Sequence, residues 1–317
     1  MQPAFFHKKR SAVDSGYKKE YHDRDMKKEM TKPNSTVRGM LCILLAAFFF
    51  SLMSLFVRLS GDVPVMQKAF FRNLVAAALA AGILLRSGEG FRVHPGCLPT
   101  LLKRSAFGTV GLIANFWAIG HIGMADANVL NKLSPFFAIL MSIFILKELP
   151  GVVDILSVVV AFAGAVLVVR PSAGVASLPA LVGVAGGYFA GLAYTYVRKL
   201  GKLGERSGMI VFFFSAFSCL VCLPFLLFDY HPMTARQWMY LLLAGCAAAG
   251  GQLSVTAAYR LAPAREISVY DYSQVIYAAL LGIVVLGEWP DTLSVLGYII
   301  IIAAAVGRFL CNRKHAG

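Results

Sequence analysis

The stretch Asn128-Val129-Leu130-Asn131-Lys132-Leu133-Ser134-Pro135-Phe136 runs through an apolar segment to Lys147-Glu148-Leu149-Pro150. Further along, Ser268-Val269-Tyr270-Asp271-Tyr272-Ser273-Gln274-Val275 runs through another to Gly287-Glu288-Trp289-Pro290, and the offset is 140 positions. The same shift lays Val57-Arg58 on Val197-Arg198, Gly111 on Gly251, Ala118 on Ala258, Asp126 on Glu266 and Asn131 on Asp271. Each copy holds about five segments long enough to cross a bilayer, at about 20 apolar residues per crossing. An odd number of crossings brings the second copy in from the opposite face. The expected fold is therefore all-α and polytopic, with ten transmembrane helices in two inverted five-helix repeats.

Composition excludes most alternatives. The 317 residues are 58% hydrophobic and only 15% charged, more apolar surface than a water-soluble domain can hide. A net charge of +14 suggests nucleic acid until its location is considered. Ten of the 30 Lys and Arg lie in the first 38 residues, and most others fall between spans, where they set orientation. No nucleic-acid partner is expected. The six Cys are scattered, and Cys219-x-x-Cys222 sits in a Phe-rich span without a second pair. Packing is the expected role there, with no metal or cofactor.

Predicted spans are 39–59, 66–86, 104–122, 125–147, 152–170, 178–198, 207–228, 236–259, 265–287 and 292–310. The two repeats occupy 39–170 and 178–310. Residues 1–38 form a polar, basic tail read as disordered and cytosolic, and residues 311–317 a short cytosolic end. Cations such as Arg86, Arg92, Lys103, Arg104, Lys147, Arg198, Lys199, Lys202, Arg206, Arg260 and Arg265 gather in even-numbered connections. Both termini are accordingly expected in the cytosol, and the protein in a bacterial inner membrane, as a monomer or homodimer.

Ionisable groups inside apolar helices are expensive and mark candidate sites. Asn128, Asn131, Lys132 and Pro135 share one helical face. The 140-residue shift maps them to Ser268, Asp271, Tyr272 and Val275. Two polar stripes facing one aqueous cavity would follow, with Lys132 and Asp271 placed to pair. The bland alternative is bonding between helices alone. Pro135 is expected to weaken its helix near Asn131. Gly183, Gly187 and Gly191 recur every fourth residue in the sixth span and predict a close or sliding helix contact. Tyr188, Tyr194, Tyr270 and Tyr272 are candidates to surround a ring or an ammonium group. Gln252 joins them as a weaker cavity candidate with Asn115, Trp117 and Ser254. Arg72 and Asn73 suit a gate or an interface. Glu148 and Glu288 suit loop capping or bonding to a neighbouring helix, and His121 a minor coupling role.

These features together make the chain similar to the drug/metabolite transporter superfamily, in its EamA-type branch, over about residues 38–312. The likeness rests on the ten-span duplication and on the paired segments Ser134-Pro135-Phe136…Lys147-Glu148-Leu149-Pro150 and Ser273-Gln274-Val275…Gly287-Glu288-Trp289-Pro290. It implies two inverted bundles around a central cavity, with the last span of each half packed peripherally. It also implies movement of a small organic solute by alternating access. The expected activity is export of an amino-acid-like, aromatic or cationic metabolite. The alternative is uptake of a metabolite or vitamin such as S-adenosylmethionine, riboflavin or choline. A membrane-embedded enzyme or a channel is the other class, but no reactive constellation supports an enzyme. The second copy lacks the proline at Val275 and carries Tyr272 in place of Lys132. The halves are thus expected to contact substrate unequally.

Overall fold

The computed structural model describes residues 33–88, 90–147, 150–169, 177–261 and 268–314. The N-terminal tail, the connection around Pro171–Gly174, Glu148, Arg265 and Glu266 lie outside them, as do the side chains of Tyr259, Arg260 and Ser268.

Every regular element among the described residues is helical. In order along the chain, the spans are Pro33–Leu59, Val65–Arg86, Leu98–His121, an interrupted fourth (Met124–Asn131 and Ser134–Ile145), Val152–Val169, Ser177–Lys202, Ser207–Phe228 and Ala235–Leu261. An interrupted ninth follows (Ser268–Tyr272, Ser273–Leu281 and Gly282–Leu286), then Thr292–Lys314 as the tenth. Seven of them are long and apolar enough to cross a membrane by length and composition, with two shorter apolar helices beside them. A helix is the form an apolar run takes in lipid, since every backbone N–H and C=O then finds its partner within the segment. The third span, Leu98–His121, starts six residues before the expected boundary and draws Lys103 and Arg104 into the helix. Arg104, read from the sequence as a loop cation, is a buried helical residue.

The duplication is visible in the packing. The first span packs most heavily on the eighth and the third on the sixth, two pairings that exchange when the halves are swapped. The second packs on its equivalent, the seventh, and the fifth on its equivalent, the tenth. Both of those pairs run antiparallel. Leu84 at the end of the second span abuts Gly208 at the start of the seventh, while Cys219 Sγ reaches the Phe70 carbonyl at 3.6 Å. Asp154 at the start of the fifth pairs with Arg308 near the end of the tenth at 2.6 Å. Gly164 and Gly297 let the same two backbones meet, because a Cβ on Gly297 would stand 2.7 Å from the Gly164 carbonyl. Even the terminations match: Lys147 and Gly287, 140 apart, hold φ of +56° and +67°. That left-handed state suits glycine and costs a lysine about 1 kcal/mol.

The largest apolar core joins the fourth, fifth, ninth and tenth spans through Leu130, Leu133, Phe136, Val275 and Ile301. A second joins the first, second, third and eighth through Val57, Phe116, Ile119 and Ala248. The broken spans belong to the first core, and the fourth reaches the second through Ala127.

Candidate functional site

The fourth span ends its first segment at Asn131, with Lys132 as C-cap, and restarts at Ser134. Pro135 sits in the first turn of the new segment, where its missing N–H is tolerated and its ring pre-sets the backbone. It leaves the Asn131 carbonyl without its usual donor four residues on. The ninth span breaks at the equivalent place with no proline. A 3₁₀ turn over Ser268–Tyr272 leads into the helix from Ser273. The residues that cap the second segments, one position out of the 140-residue register, share a right-handed helical backbone: Leu133 at φ −72°, ψ −14° and Tyr272 at φ −69°, ψ −13°. The expected asymmetry in proline is real, yet both helices break.

The two breaks face each other. Lys132 Nζ meets Asp271 Oδ2 at 2.5 Å. The Tyr272 hydroxyl donates to the Lys132 carbonyl at 3.4 Å, an acceptor that the interruption leaves open because the Phe136 N–H bonds Leu133 instead. Each interrupted span thus supplies what the other lacks. Lys132 is buried, whereas a quarter of the Asp271 side chain is exposed. An ion pair costs desolvation wherever it is dehydrated, so a pair that keeps one member open is placed to exchange partners.

Asn128 stands one turn from this pair in a buried network. Its amide oxygen accepts from Ser54 Oγ at 3.1 Å and from Gln274 Nε2 at 2.9 Å, while its own Nδ2 donates to the Met124 carbonyl at 2.8 Å. Ser51 Oγ bonds the Gln274 carbonyl at 3.1 Å. Asn128, Ser51, Ser54 and Gln274 are all buried. They tie the first span to the fourth and ninth rather than line an open space. Gln274, Ser51 and Ser54 were not singled out from the sequence. The signal was present, because Gln274 is the 140-shifted equivalent of Ser134.

The tyrosines divide. Tyr194 is 56% exposed, and its charged neighbours are Asp271, Arg104 and Arg72. A side chain facing lipid would not have charges from the ninth, third and second spans around it, so Tyr194 lines an interior space. Tyr272 is buried on the Lys132 carbonyl. Tyr188 packs edge-on against Phe137 at 5.4 Å and Phe189 at 5.3 Å. Tyr270 packs against the small core of Ile43 and Ala258. Asn131 is partly buried at the end of its half-helix, and Gln252 is partly buried and engaged with a neighbour. The structure therefore gathers Lys132, Asp271, Tyr272 and Tyr194, and sets Tyr188 and Tyr270 into apolar clusters.

One end of the bundle is fastened by Glu288. Its Oε1 accepts from Arg58 Nε at 2.9 Å and pairs with Nη2 at 2.6 Å; its Oε2 accepts from the Met124 N–H at 2.8 Å. Arg58 also donates to the Ile119 carbonyl at 2.7 Å. Four spans meet there. Beside them opens a cavity of about 360 Å³ lined by Arg58, His121, Asp126, Glu288, Asp291 and Tyr298. His121 stacks on Trp117 at 3.9 Å between ring centres.

Known proteins agree with this architecture. The EamA-like transporter family matches residues 37–170 and again 177–309. The pseudopaline exporter CntI of Pseudomonas aeruginosa is 34% identical over 272 residues, 84% of this chain and 94% of that one. An uncharacterized transporter of Helicobacter pylori is 27% identical over 86% of this chain and 95% of its own length. Human solute carrier family 35 member G1 is 25% identical over 85% and 78%. A solved crystal structure shares the fold, with a TM-score of 0.64 at 18% identity over 89% of this chain and all of its own.

Proposed function

The chain belongs to the EamA-like transporter family, a multi-pass membrane transporter of a small molecule and not an enzyme, and we propose that it exports a metabolite by alternating access at the Lys132–Asp271 pair. The observation that carries the reading is that pair, made between the interruptions of two equivalent spans. A solute carrying both charges competes for Lys132 and Asp271 together, and breaking their bond frees two hinges at once. Amino-acid-like and aromatic solutes fit a space bounded by Tyr194. Organic cations fit less well, since Arg72, Arg104 and Lys132 outnumber Asp271 there.

The halves are inverted repeats in this proposal, a reading supported by the antiparallel packing of the second span on the seventh and the fifth on the tenth. In this reading both termini lie in the cytosol, supported by the Lys and Arg of the even-numbered connections, and the Arg58–Glu288 end faces outward in a bacterial inner membrane. The protein acts as a monomer or homodimer. The 140-residue shift assigns Arg198 and Glu148 the corresponding role at the inner face, so that one lock closes as the other opens. Asp271 is the proposed proton carrier, and the proton gradient or the solute's own gradient drives export.

The test is flux. Proteoliposomes loaded with a labelled amino-acid mixture should release part of it chemically unchanged, faster under an imposed pH gradient. Lys132→Met should reduce flux at least tenfold, and Asp271→Asn should remove the acceleration. Parent-like flux in both variants would return these residues to a purely structural role.

A further inference from the structure

Two arginines lie buried among the second, third and seventh spans, 4% and 8% exposed for Arg72 and Arg104. Both approach one ring, Phe214, the guanidinium carbon of Arg104 at 3.9 Å from its centre and that of Arg72 at 6.0 Å. Stacking occupies the face of the Arg104 guanidinium and leaves its N–H groups, which point outward in the plane, free to bond. Its Nε and Nη1 and the Nε of Arg72 have no hydrogen-bond partner among the described residues. Arg72 does bond Asn73 Oδ1 at 2.6 Å, but an amide carries no charge. The ionisable neighbours of Arg104 are Tyr194 and Arg72, and those of Arg72 are Tyr194 and Cys219. Among the described residues no carboxylate stands beside either guanidinium.

The niche is built for this arrangement. A Cβ on Gly108, one turn beyond Arg104, would fall 2.7 Å from Arg104 Nη1 and 3.0 Å from the Phe214 ring. Glycine at 108 therefore leaves the guanidinium room to stack. The other half has none of it: the shift of 140 maps Arg72, Arg104 and Gly108 to Phe212, Ala244 and Ala248. Buried charge without a counter-charge is costly, and here two like charges lie near one another and near Tyr194. Such a cost is sustained where an absent anion completes the site.

We infer that Arg72 and Arg104 form an oxyanion subsite that takes a carboxylate of the transported molecule, with Tyr194 between it and the Lys132–Asp271 pair. The forked donors of arginine match a planar carboxylate. A solute anchored this way presents its remaining groups, an ammonium among them, to Asp271. The inference deepens the transport reading and rests on it only for the solute's passage; binding itself is testable without flux.

The probes are benzoate, succinate and L-phenylalanine, each set against its neutral or cationic counterpart: methyl benzoate, dimethyl succinate and L-phenylalaninamide. With purified full-length protein in detergent, at least one acid should raise the melting temperature, and its counterpart should bind about tenfold more weakly or worse. Arg72→Gln and Arg104→Gln should each abolish the acid-dependent shift. Gly108→Ala keeps both arginines but crowds the niche, and should weaken the shift even if a glutamine variant fails to fold. Equal shifts from acids and counterparts, no acid shift at all, or an undiminished preference in Gly108→Ala and the folded glutamine variants would overturn the subsite. Acid-selective binding by a protein that moves no solute would leave the subsite standing and sink the transport reading. Flux without acid preference would do the reverse.

Discussion

The contact of the sixth span on the fourth and that of the first on the ninth occupy equivalent positions, yet they are made of different materials. In the former, glycines present bare backbone. A Cβ on Gly187 would lie 2.7 Å from the Leu130 carbonyl, and one on Gly191 would lie 2.7 Å from both the Ser134 carbonyl and Phe137 Cβ. In the latter, the residues 140 positions earlier are Ala47 and Ser51. Ser51 bonds the Gln274 carbonyl, the equivalent of the Ser134 carbonyl, and Ser54 bonds Asn128. One joint is close and glycine-lined, crossed by a long bond from Thr195 Oγ1 to the Ala138 carbonyl at 3.4 Å; the other is pinned by Ser51 at 3.1 Å and, through Asn128, by Ser54. Duplication repeated the architecture and left each interface free to specialise, so a glycine joint and a pinned joint coexist between the same two repeats.

The largest expected effect comes from filling the glycine joint. Gly191→Ala places a methyl against backbone on two sides and should cost about 1–3 kcal/mol, read as a clear drop in melting temperature and folded yield. Ala47→Gly, in the pinned joint, should cost no more than about 1 kcal/mol. Equal losses would erase the distinction between the joints. Next comes the pin itself. Asn128→Ala strands the Gln274 amide, while Ser54 keeps the Phe50 carbonyl at 3.1 Å, at about 1–2 kcal/mol by thermal unfolding. A neutral result would show that the network does not hold the first span in place.

A smaller effect on stability, but a visible one on sidedness, is expected at the Arg58–Glu288 end. Both side chains are about a quarter exposed, so Glu288→Gln should cost about 1 kcal/mol or less. Cysteine substitutions lining the neighbouring cavity, at Asp291 for example, should react faster with a membrane-impermeant thiol reagent in that background. An unchanged rate would mean that the pair does not govern access. Least of all should change in Pro135→Ala. The ninth span breaks at its equivalent position with Val275 in place of proline. The fourth should therefore keep its interruption, with stability altered by under about 1 kcal/mol, measured by denaturation together with retention of the Lys132–Asp271 cross-span contact. Loss of the break would make proline, rather than packing, its cause.

Ten helical segments, their order and their correspondence by a 140-residue shift were legible because hydropathy and turn residues are local signals. The Lys132–Asp271 contact was legible as well, since a lone cation and a lone carboxylate in equivalent apolar helices have few other places to go. Less was legible where direction matters. Tyr188 and Tyr194 lie in the same helix, and periodicity does not say which of them meets Phe137 and which meets charge. Arg104 looked like a loop cation because the polar Lys103-Arg104 step hides the first turn of the third span. Gln274 went unnoticed because its equivalent, Ser134, is small and common in apolar helices. Burial depends on neighbours distant in sequence, and one helix read alone does not display them.

The heaviest pairings each cross from one repeat to the other: first with eighth, third with sixth, second with seventh, fifth with tenth. Neither repeat can therefore finish its own core during synthesis. The first span, complete at Leu59, waits for a partner that begins at Ala235. At about 5–20 residues per second that interval lasts on the order of 10–40 s. Meanwhile Ser51 and Asn128 sit in lipid or in the insertion machinery without Gln274, and the buried arginines of the second and third spans have no Phe214 to cover them. Maturation is gated by the C-terminal half, and a nascent chain halted after the fifth span is a helical intermediate with its polar groups still exposed to quality control.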